Sequence, residues 1–397
     1  MKIVYLIAGT FNAGGMERVL SNKANWLAAH GYDVCIVTTD QRGRAPYFAL
    51  DGRIATRDLG INYDADNGQL VSKLLRFPLR QWRHKRRLET LLRELRPDVT
   101  VCMFNNDVSF VHRLKDGSRK ILEVHFSKNK KLQYGRQGLW AVVDRWRTQR
   151  EERLVHRYDH FVVLTHEDKA LWDHHPSSIT HHPSPITHHP SPIPHHPSPI
   201  AQTIVIPNAR TFVPRRLSPL TAKRVVAIGR YDYQKGFDTL LYIWHLLGDR
   251  LDGWTLDIIG DGPLRKEMKW QVGQWHLTDS VRLLRPTDDI ESVYLGASIL
   301  VMTSRYEGLP MVLLEAQACG LPIVAFACQC GPRDVITDGK DGFLIEGRDE
   351  RLFADRLLTL MTDDALRQQM GSAAAKASER FSEERVMQQW EELINEE

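Results

Sequence analysis

The chain has 397 residues, 42% of them hydrophobic and 26% charged, with a formal net charge of +4. Its length exceeds what one hydrophobic core organises and predicts two domains, and the composition is that of a soluble globular protein. No apolar run approaches the roughly 18 residues of a membrane-spanning helix, which argues against an integral membrane protein. The charge is unevenly spread: residues 1–172 carry a net +11 and residues 201–397 a net −6. The two halves are therefore expected to meet different partners, with an anionic surface or acceptor belonging to the first. Five cysteines (Cys35, Cys102, Cys319, Cys328 and Cys330) form no C-x-x-C pair and several lie in apolar runs. Buried free thiols in a reducing cytoplasm are the expectation.

The opening run from Lys2 is too short for a signal peptide and predicts a first strand over residues 2–8. A glycine loop, residues 9–15, then leads into a helix predicted over 16–29. Such a loop lets backbone amides approach a phosphate or a sugar. It is not the dinucleotide G-x-G-x-x-G pattern, because Phe11 stands where the second glycine belongs. Strand signals follow at 33–38, 99–104, 120–124 and 160–164, a doubly wound α/β pattern. His125 closes one of these strands and faces the crevice if the sheet is parallel; a structural histidine is the competing reading. Lys128, Lys130 and Lys131 form a basic loop suited to a phosphate-bearing acceptor, or a merely solvated loop.

Residues 73–96 interleave arginines and lysines, among them Arg83, Lys85, Arg86 and Arg87, with leucines and aromatics, and Pro78 is expected to break the segment. The pattern fits a solvated surface helix, or a peripheral contact with an anionic membrane at the inner face of the cytoplasmic membrane. No fold-level nucleic-acid motif is present. Residues 173–200 are a tandem seven-residue repeat of His-His-Pro-Ser type holding eight of the 17 histidines. Proline in every repeat forbids a helix, and an expanded surface loop is expected rather than a metal site.

The segment from Thr203 to Asn208 closes the first domain, and the second opens with a strand running into Gly229-Arg230, with Lys235-Gly236 beyond. Two cations at one loop suit a diphosphate, arginine as a fork and lysine as a point charge. A strand over 255–259, a Gly-Asp-Gly loop at 260–262 and a loop containing Thr287 follow. The apolar run 297–303 reads as a buried parallel strand, so Glu307 falls at its carboxyl end, where open α/β sheets bind ligands. Pro310 is placed to open a helix whose first amides, from Met311 and Val312, point at an anion. Glu315 lies about one helical turn further in, on the side expected to face the crevice. Both acids also fit a plain reading as solvated helix-start residues.

The segment Gly14-Gly15-Met16-Glu17-Arg18 resembles the G-G-x-E-R opening, and Glu307 to Glu315 the E-x7-E signature, of the retaining glycosyltransferases of family 4. The resemblance spans the chain except the repeat and is strongest over 224–345. It implies the GT-B architecture, an α/β fold of two facing Rossmann-like domains. These would be an acceptor domain over 1–172, the repeat over 173–200, the end of the first domain and the interdomain linker over 201–222, a donor domain over 223–380, and a helix over 381–397 crossing back. It further implies transfer, with retention, from a nucleoside-diphosphate sugar, first of all a UDP-sugar. The acceptor would be a glycan or a polyprenyl-diphosphate-linked one, as in capsule and exopolysaccharide synthesis. His125, Arg230, Lys235 and Glu307 would be catalytic. Gly14, Gly15, Gly229, Thr287, the stretch Gly308, Leu309, Pro310, Met311 and Val312, and Glu315 would complete the donor site, with Glu307 on sugar hydroxyls and Glu315 on the ribose. No metal or other cofactor is expected, since protein cations stand in for one. A glycine is common in the family where Arg285 stands, which leaves base recognition open. An epimerase on the same scaffold and a non-catalytic binding protein are the competing classes.

Overall fold

The computed structural model describes residues 1–66, 70–130, 139–173 and 202–396. Lys131 and the repeat from residue 174 onward lie outside the described residues. The first half runs Lys2–Ile7 (β1), Gly15–Ala29 (α1), Asp33–Thr38 (β2), Ala55–Asp58 (β3), Leu70–Leu95 (α2), Val99–Cys102 (β4), Arg119–Glu123 (β5), Leu139–Val155 (α3), His160–Val163 (β6), His166–Asp173 (α4) and Thr203–Val205 (β7). Its seven strands pair in the order β3-β2-β1-β4-β5-β6-β7, each pair parallel.

The second half continues with Arg224–Ile228 (β8), Phe237–Leu247 (α5), Thr255–Ile259 (β9), Arg265–Gln274 (α6), Val281–Leu284 (β10), Ile290–Leu295 (α7), Ile299–Met302 (β11), Met311–Ala318 (α8), Ile323–Phe326 (β12), Pro332–Val335 (α9), Gly342–Ile345 (β13), Glu350–Thr362 (α10), Asp364–Ser378 (α11) and Glu383–Asn395 (α12). Its six-stranded sheet has the order β10-β9-β8-β11-β12-β13, again parallel throughout. These are two Rossmann-like domains, each with a point where the strand order reverses: between β1 and β4 in the first, between β8 and β11 in the second. Ligands of open α/β sheets bind outside the carboxyl ends of the strands at that point.

The inner strands are largely apolar because helices cover both faces. Each sheet is accordingly sandwiched between two hydrophobic clusters. The last helix, α12, buries Val386, Met387, Trp390, Leu393 and Ile394 in the same cluster as Ile3, Leu20 and Val101, so the end of the chain packs on its beginning.

Two features depart from the sequence reading. β3 was not expected: its Ala-Thr-Arg-Asp sequence is polar, and it forms because an edge strand needs only one paired side. Pro78 does not break its segment but sits inside the 26-residue α2. An interior proline costs about 3 kcal/mol; the fully buried Leu88 and Leu92 and the buried His84, further along the same helix, supply packing that offsets it.

Candidate active site

At the reversal point of the second sheet, the loops after β8, β9 and β11 stack on one another. The amide of Gly229 donates to Ile259 O at 3.0 Å and that of Tyr231 to Asp261 O at 2.9 Å. The Tyr231 hydroxyl, buried beneath, donates to Ile258 O at 2.6 Å. With its neighbour so anchored, Arg230 projects outward, its side chain 72% exposed and its nearest acid, Asp232, 3.8 Å away. Lys235 lies across Gly229, where a Cβ would stand 3.0 Å from the lysine Cε; any larger residue would displace the lysine.

The Lys235 ammonium donates to Glu307 Oε1 at 2.6 Å, and Gln234 Nε2 to Glu307 Oε2 at 3.3 Å and to Tyr306 O at 3.1 Å. Glu307 is buried. The strand-end loop that carries it is tied down by Arg348, which donates to Ser304 O at 3.0 Å. Gln234 and Arg348 escaped the sequence reading; Gln234 adjoins Lys235, and that adjacency was the only signal available.

Beyond Glu307, Gly308 touches the other domain. A Cβ there would be 2.8 Å from His125 O and 3.1 Å from Phe126 Cα, so only glycine permits this approach of the two walls. Leu309 and Pro310 are buried, and Pro310 is the N-cap of α8 rather than its first residue. No side chain caps that helix, so the amides of its first turn, from Met311 and Val312, are free of side-chain acceptors and directed as an anion requires. Thr287 is exposed on the loop after β10 and accepts from the Asp289 amide at 3.2 Å. Its neighbour Arg285 pairs with Asp261.

Glu315 does not present an open carboxylate to the crevice. It is buried, accepts from Thr211 Oγ1 at 2.6 Å and from the Tyr294 hydroxyl at 2.8 Å, and has Arg18 of α1 at 3.9 Å. Burial pushes its carboxyl above the usual range, against the pull of Thr211 and Tyr294. Helical periodicity sets the face of Glu315 within α8, but the linker residue Thr211 is what lies over that face. Thr211 and Tyr294 carried no sequence signal; Arg18 did, as part of the Gly-Gly-x-Glu-Arg stretch.

The first-domain wall rests on a buried ionic chain. Lys23 of α1 donates to Glu123 of β5 at 2.5 Å, and the His125 ring Nε2 lies 3.0 Å from the same carboxylate, off the line of a hydrogen bond. Burial opposes ionisation of Glu123, but the charges of Lys23 and His125 outweigh it and hold the carboxyl down at about 2. The Lys23 ammonium also sits 3.6 Å from the centre of the Trp390 ring of α12. Gly14 caps the start of α1 with Glu17 folded over it, and Gly15 borders open space.

In the basic loop after His125, the two described lysines, Lys128 and Lys130, do not stand free in solvent. Lys128 turns inward, donating to Leu171 O at 2.7 Å and pairing with Glu152 at 2.8 Å beside the Trp172 ring. Lys130 lies 5.2 Å from the Phe126 ring. The four cations of α2 also part company. Arg87 is drawn to the carbonyls of Leu59 and Gly60, Arg86 stacks 5.0 Å from Trp82, Arg83 is exposed, and Lys85 turns towards α3. Among the described residues no group of three or more His, Cys, Asp or Glu side chains is arranged to hold a metal ion.

Comparison with known proteins agrees with this architecture. Residues 13–189 match the family model described as Glycosyltransferase Family 4, and residues 209–377 that of Glycosyl transferases group 1. The amylovoran biosynthesis glycosyltransferase AmsD of Erwinia amylovora is 28% identical over 402 aligned positions, covering 99% of each chain. A TarM variant of S. aureus, solved with fondaparinux, α-GlcNAc-glycerol and UDP, superposes with a TM-score of 0.75 at 16% identity, covering 100% of both chains. HepE of Anabaena, solved with UDP and glucose, gives 0.67 at 16% identity over 99% of each chain. The two structural likenesses show the fold; with the two family models dividing nearly the whole chain between them, the chain belongs to the family-4 glycosyltransferases of GT-B fold.

Proposed function

We propose that the chain moves a hexose, with retention, from a nucleoside-diphosphate sugar, a UDP-sugar in the first instance, to a glycan or polyprenyl-diphosphate-linked acceptor in cell-surface polysaccharide synthesis. The observation that carries this is the convergence of Arg230, Lys235, the uncapped start of α8 and the Lys235-bound Glu307 at the reversal point of one sheet. An exposed guanidinium, an ammonium and two amides form a cradle for a diphosphate. When the bond from the anomeric carbon to the phosphate oxygen breaks, its electron pair passes to that oxygen, and these donors stabilise the charge where it develops. Glu307, its charge balanced by Lys235, accepts from sugar hydroxyls and orients the ring. The acceptor hydroxyl attacks on the face the diphosphate leaves and gives its proton to a phosphate oxygen, so no protein general base is required.

Two of the fold relatives hold UDP, which supports the choice of base. The outer face of α2, where Leu79 is exposed beside Arg83 and Arg86, supports peripheral attachment to an anionic membrane. Incubation with a panel of UDP- and other nucleotide-sugars, with and without glycan acceptors, tests the reading. Acceptor-dependent release of the nucleoside diphosphate, unaffected by EDTA, and a product with the donor's anomeric configuration are expected. Epimerisation of the donor alone would overturn the transferase assignment, and a loss in EDTA restored by Mg²⁺ would overturn the metal-free cradle.

A further inference from the structure

The first domain carries a second concavity, in the groove between α2 and α3, with a cavity of about 500 Å³. Its charged lining is Lys85 of α2, Arg113, and Arg150, Arg153 and Arg157 on and just beyond α3, with Trp82 at the rim and, among the described residues, no carboxylate in the lining. The spacing of 150 and 153 puts two guanidiniums on one face of α3, and Arg157, just past its end, lines the same hollow. None of these five cations is paired with a carboxylate among the described residues; the contacts made are Arg113 to the His112 ring at 3.2 Å and Arg150 5.7 Å from the Trp146 ring. Five like charges converging on one hollow without counter-ions repel one another, an arrangement that a bound anion relieves.

The hollow also points somewhere. An adjoining cavity of about 360 Å³ shares Gln81, Ser109, Arg150 and Leu154 with it and extends to Asn105 and Asn106, just past β4, with Glu151 its one acid among the described residues. That is the end of the sheet at which His125 stands, on the neighbouring strand. Asn105 Nδ2 is buried there without a hydrogen-bond partner, and Phe104 before it holds a positive φ of 53°, a strained turn of the kind kept at binding sites. A channel of cations thus runs from the carboxyl end of the first sheet outwards between α2 and α3. Its helix face differs from the membrane-facing one proposed above: on α2, Leu79, Arg83 and Arg86 share one side, while Gln81 and Lys85 turn to the other.

We propose that this groove binds an acidic stretch of the acceptor glycan, carrying uronate carboxylates or phosphodiesters, away from the sugar that receives the transfer. The guanidiniums take the anionic groups as forks, and the exposed Trp82 ring offers a face for a sugar to stack on. A concave, tryptophan-edged row of arginines fits a chain of anionic sugars better than a flat bilayer surface. The proposal rests on the transferase reading only in taking the acceptor to be a glycan.

The test is fluorescence anisotropy of the full chain with labelled oligogalacturonate, labelled glycerol-phosphate oligomers and a neutral malto-oligosaccharide, together with separate UDP binding. At least one acidic probe should bind, the neutral one should not, and anionic vesicles should fail to displace the bound probe. The triple variant Arg150→Gln/Arg153→Gln/Arg157→Gln should weaken that binding at least about tenfold, the loss expected when charge-assisted hydrogen bonds go, with UDP affinity unchanged. Removing as many exposed cations elsewhere, by Arg96→Gln/Lys115→Gln/Arg216→Gln, should leave it within about twofold. Equal weakening by both triples, displacement by vesicles, or failure of both acidic probes would overturn the groove assignment while UDP binding still spoke for the donor site. Loss of UDP binding in the unmodified protein would instead count against the transferase reading.

Discussion

Two lysine–glutamate pairs, one in each domain, have nearly the same geometry and opposite surroundings. Lys23 and Glu123 meet at 2.5 Å with side chains 4% and 1% exposed, sealed by Tyr5 and the Trp390 ring. Lys235 and Glu307 meet at 2.6 Å with 19% and 7% exposed, at the mouth of the strand-end loops. In the first pair the ammonium is desolvated and its bonding is spent: burial depresses the Lys23 pKa, and Glu123 restores only part of it. In the second, the ammonium keeps an open side from which it can also donate to an arriving phosphate. An ion pair therefore becomes a site through what remains unfilled around it, and its own length says little.

Breaking the sealed pair should have the largest effect, and on stability. Glu123→Ala leaves Lys23 buried and unpaired and should cost about 3–5 kcal/mol, read by urea unfolding, with melting lost before activity. The double replacement Lys23→Met/Glu123→Leu should recover most of that loss, because burying no charge is cheaper than burying one; an equally unstable double variant would show that the pair itself holds the domain together. Breaking the open pair should do the reverse. Lys235→Ala and Glu307→Ala should each reduce turnover by 10²–10³, equivalent to about 2.7–4 kcal/mol, with unfolding midpoints near those of the parent. Near-normal turnover in either would remove the basis for the donor site.

Acid sharpens the contrast further. The Glu123 carboxyl sits at about 2 in the folded chain against an ordinary 4.5. On acidification through that window the unfolded chain takes up the proton first, so the stability Glu123 contributes is present above 4.5 and is lost as the pH falls towards 2. Asp168 runs the other way. Burial raises its carboxyl from 3.8 to about 6, so its contribution is present below 3.8 and lost as the pH rises through 6. Glu123→Gln should flatten the acid limb of a stability–pH curve, and Asp168→Asn the limb between 4 and 6; unchanged slopes in both would contradict these assignments. The smallest effect belongs to α2, the helix proposed to meet a membrane. Arg83→Gln/Arg86→Gln should lower sedimentation with anionic vesicles, by about 1 kcal/mol per charge at low salt, without touching turnover on soluble acceptors.

Much of the fold was legible in the chain. Parallel strands covered on both faces must be continuous apolar runs, which is why the strand at Asp33–Thr38 appears where it was read. The Ala-Thr-Arg-Asp edge strand was invisible for the converse reason: its side chains face water, and its pairing with β2 is a backbone matter. The placement of Arg230, Lys235 and Glu307 in loops at strand ends was legible because such loops begin where the apolar runs stop. Lys128 misled, since a lysine in a polar loop reads as solvated, and only the approach of Glu152 from α3 turns it inward.

By itself the sequence determined two parallel α/β units, the order of their strands along the chain, and the loops in which cations and carboxylates are held, because these follow from local periodicity and from where apolar runs stop. Which of those charges remain open was decided only by tertiary structure. Thr211 closes over Glu315, Glu123 seals Lys23, the backbone at His125 meets Gly308, and arginines from α3 face a lysine of α2 across a hollow. The physical reason is that the strength and reach of a charge depend on its desolvation and its partners. Those partners come from segments far apart in the chain, beyond the reach of any local pattern.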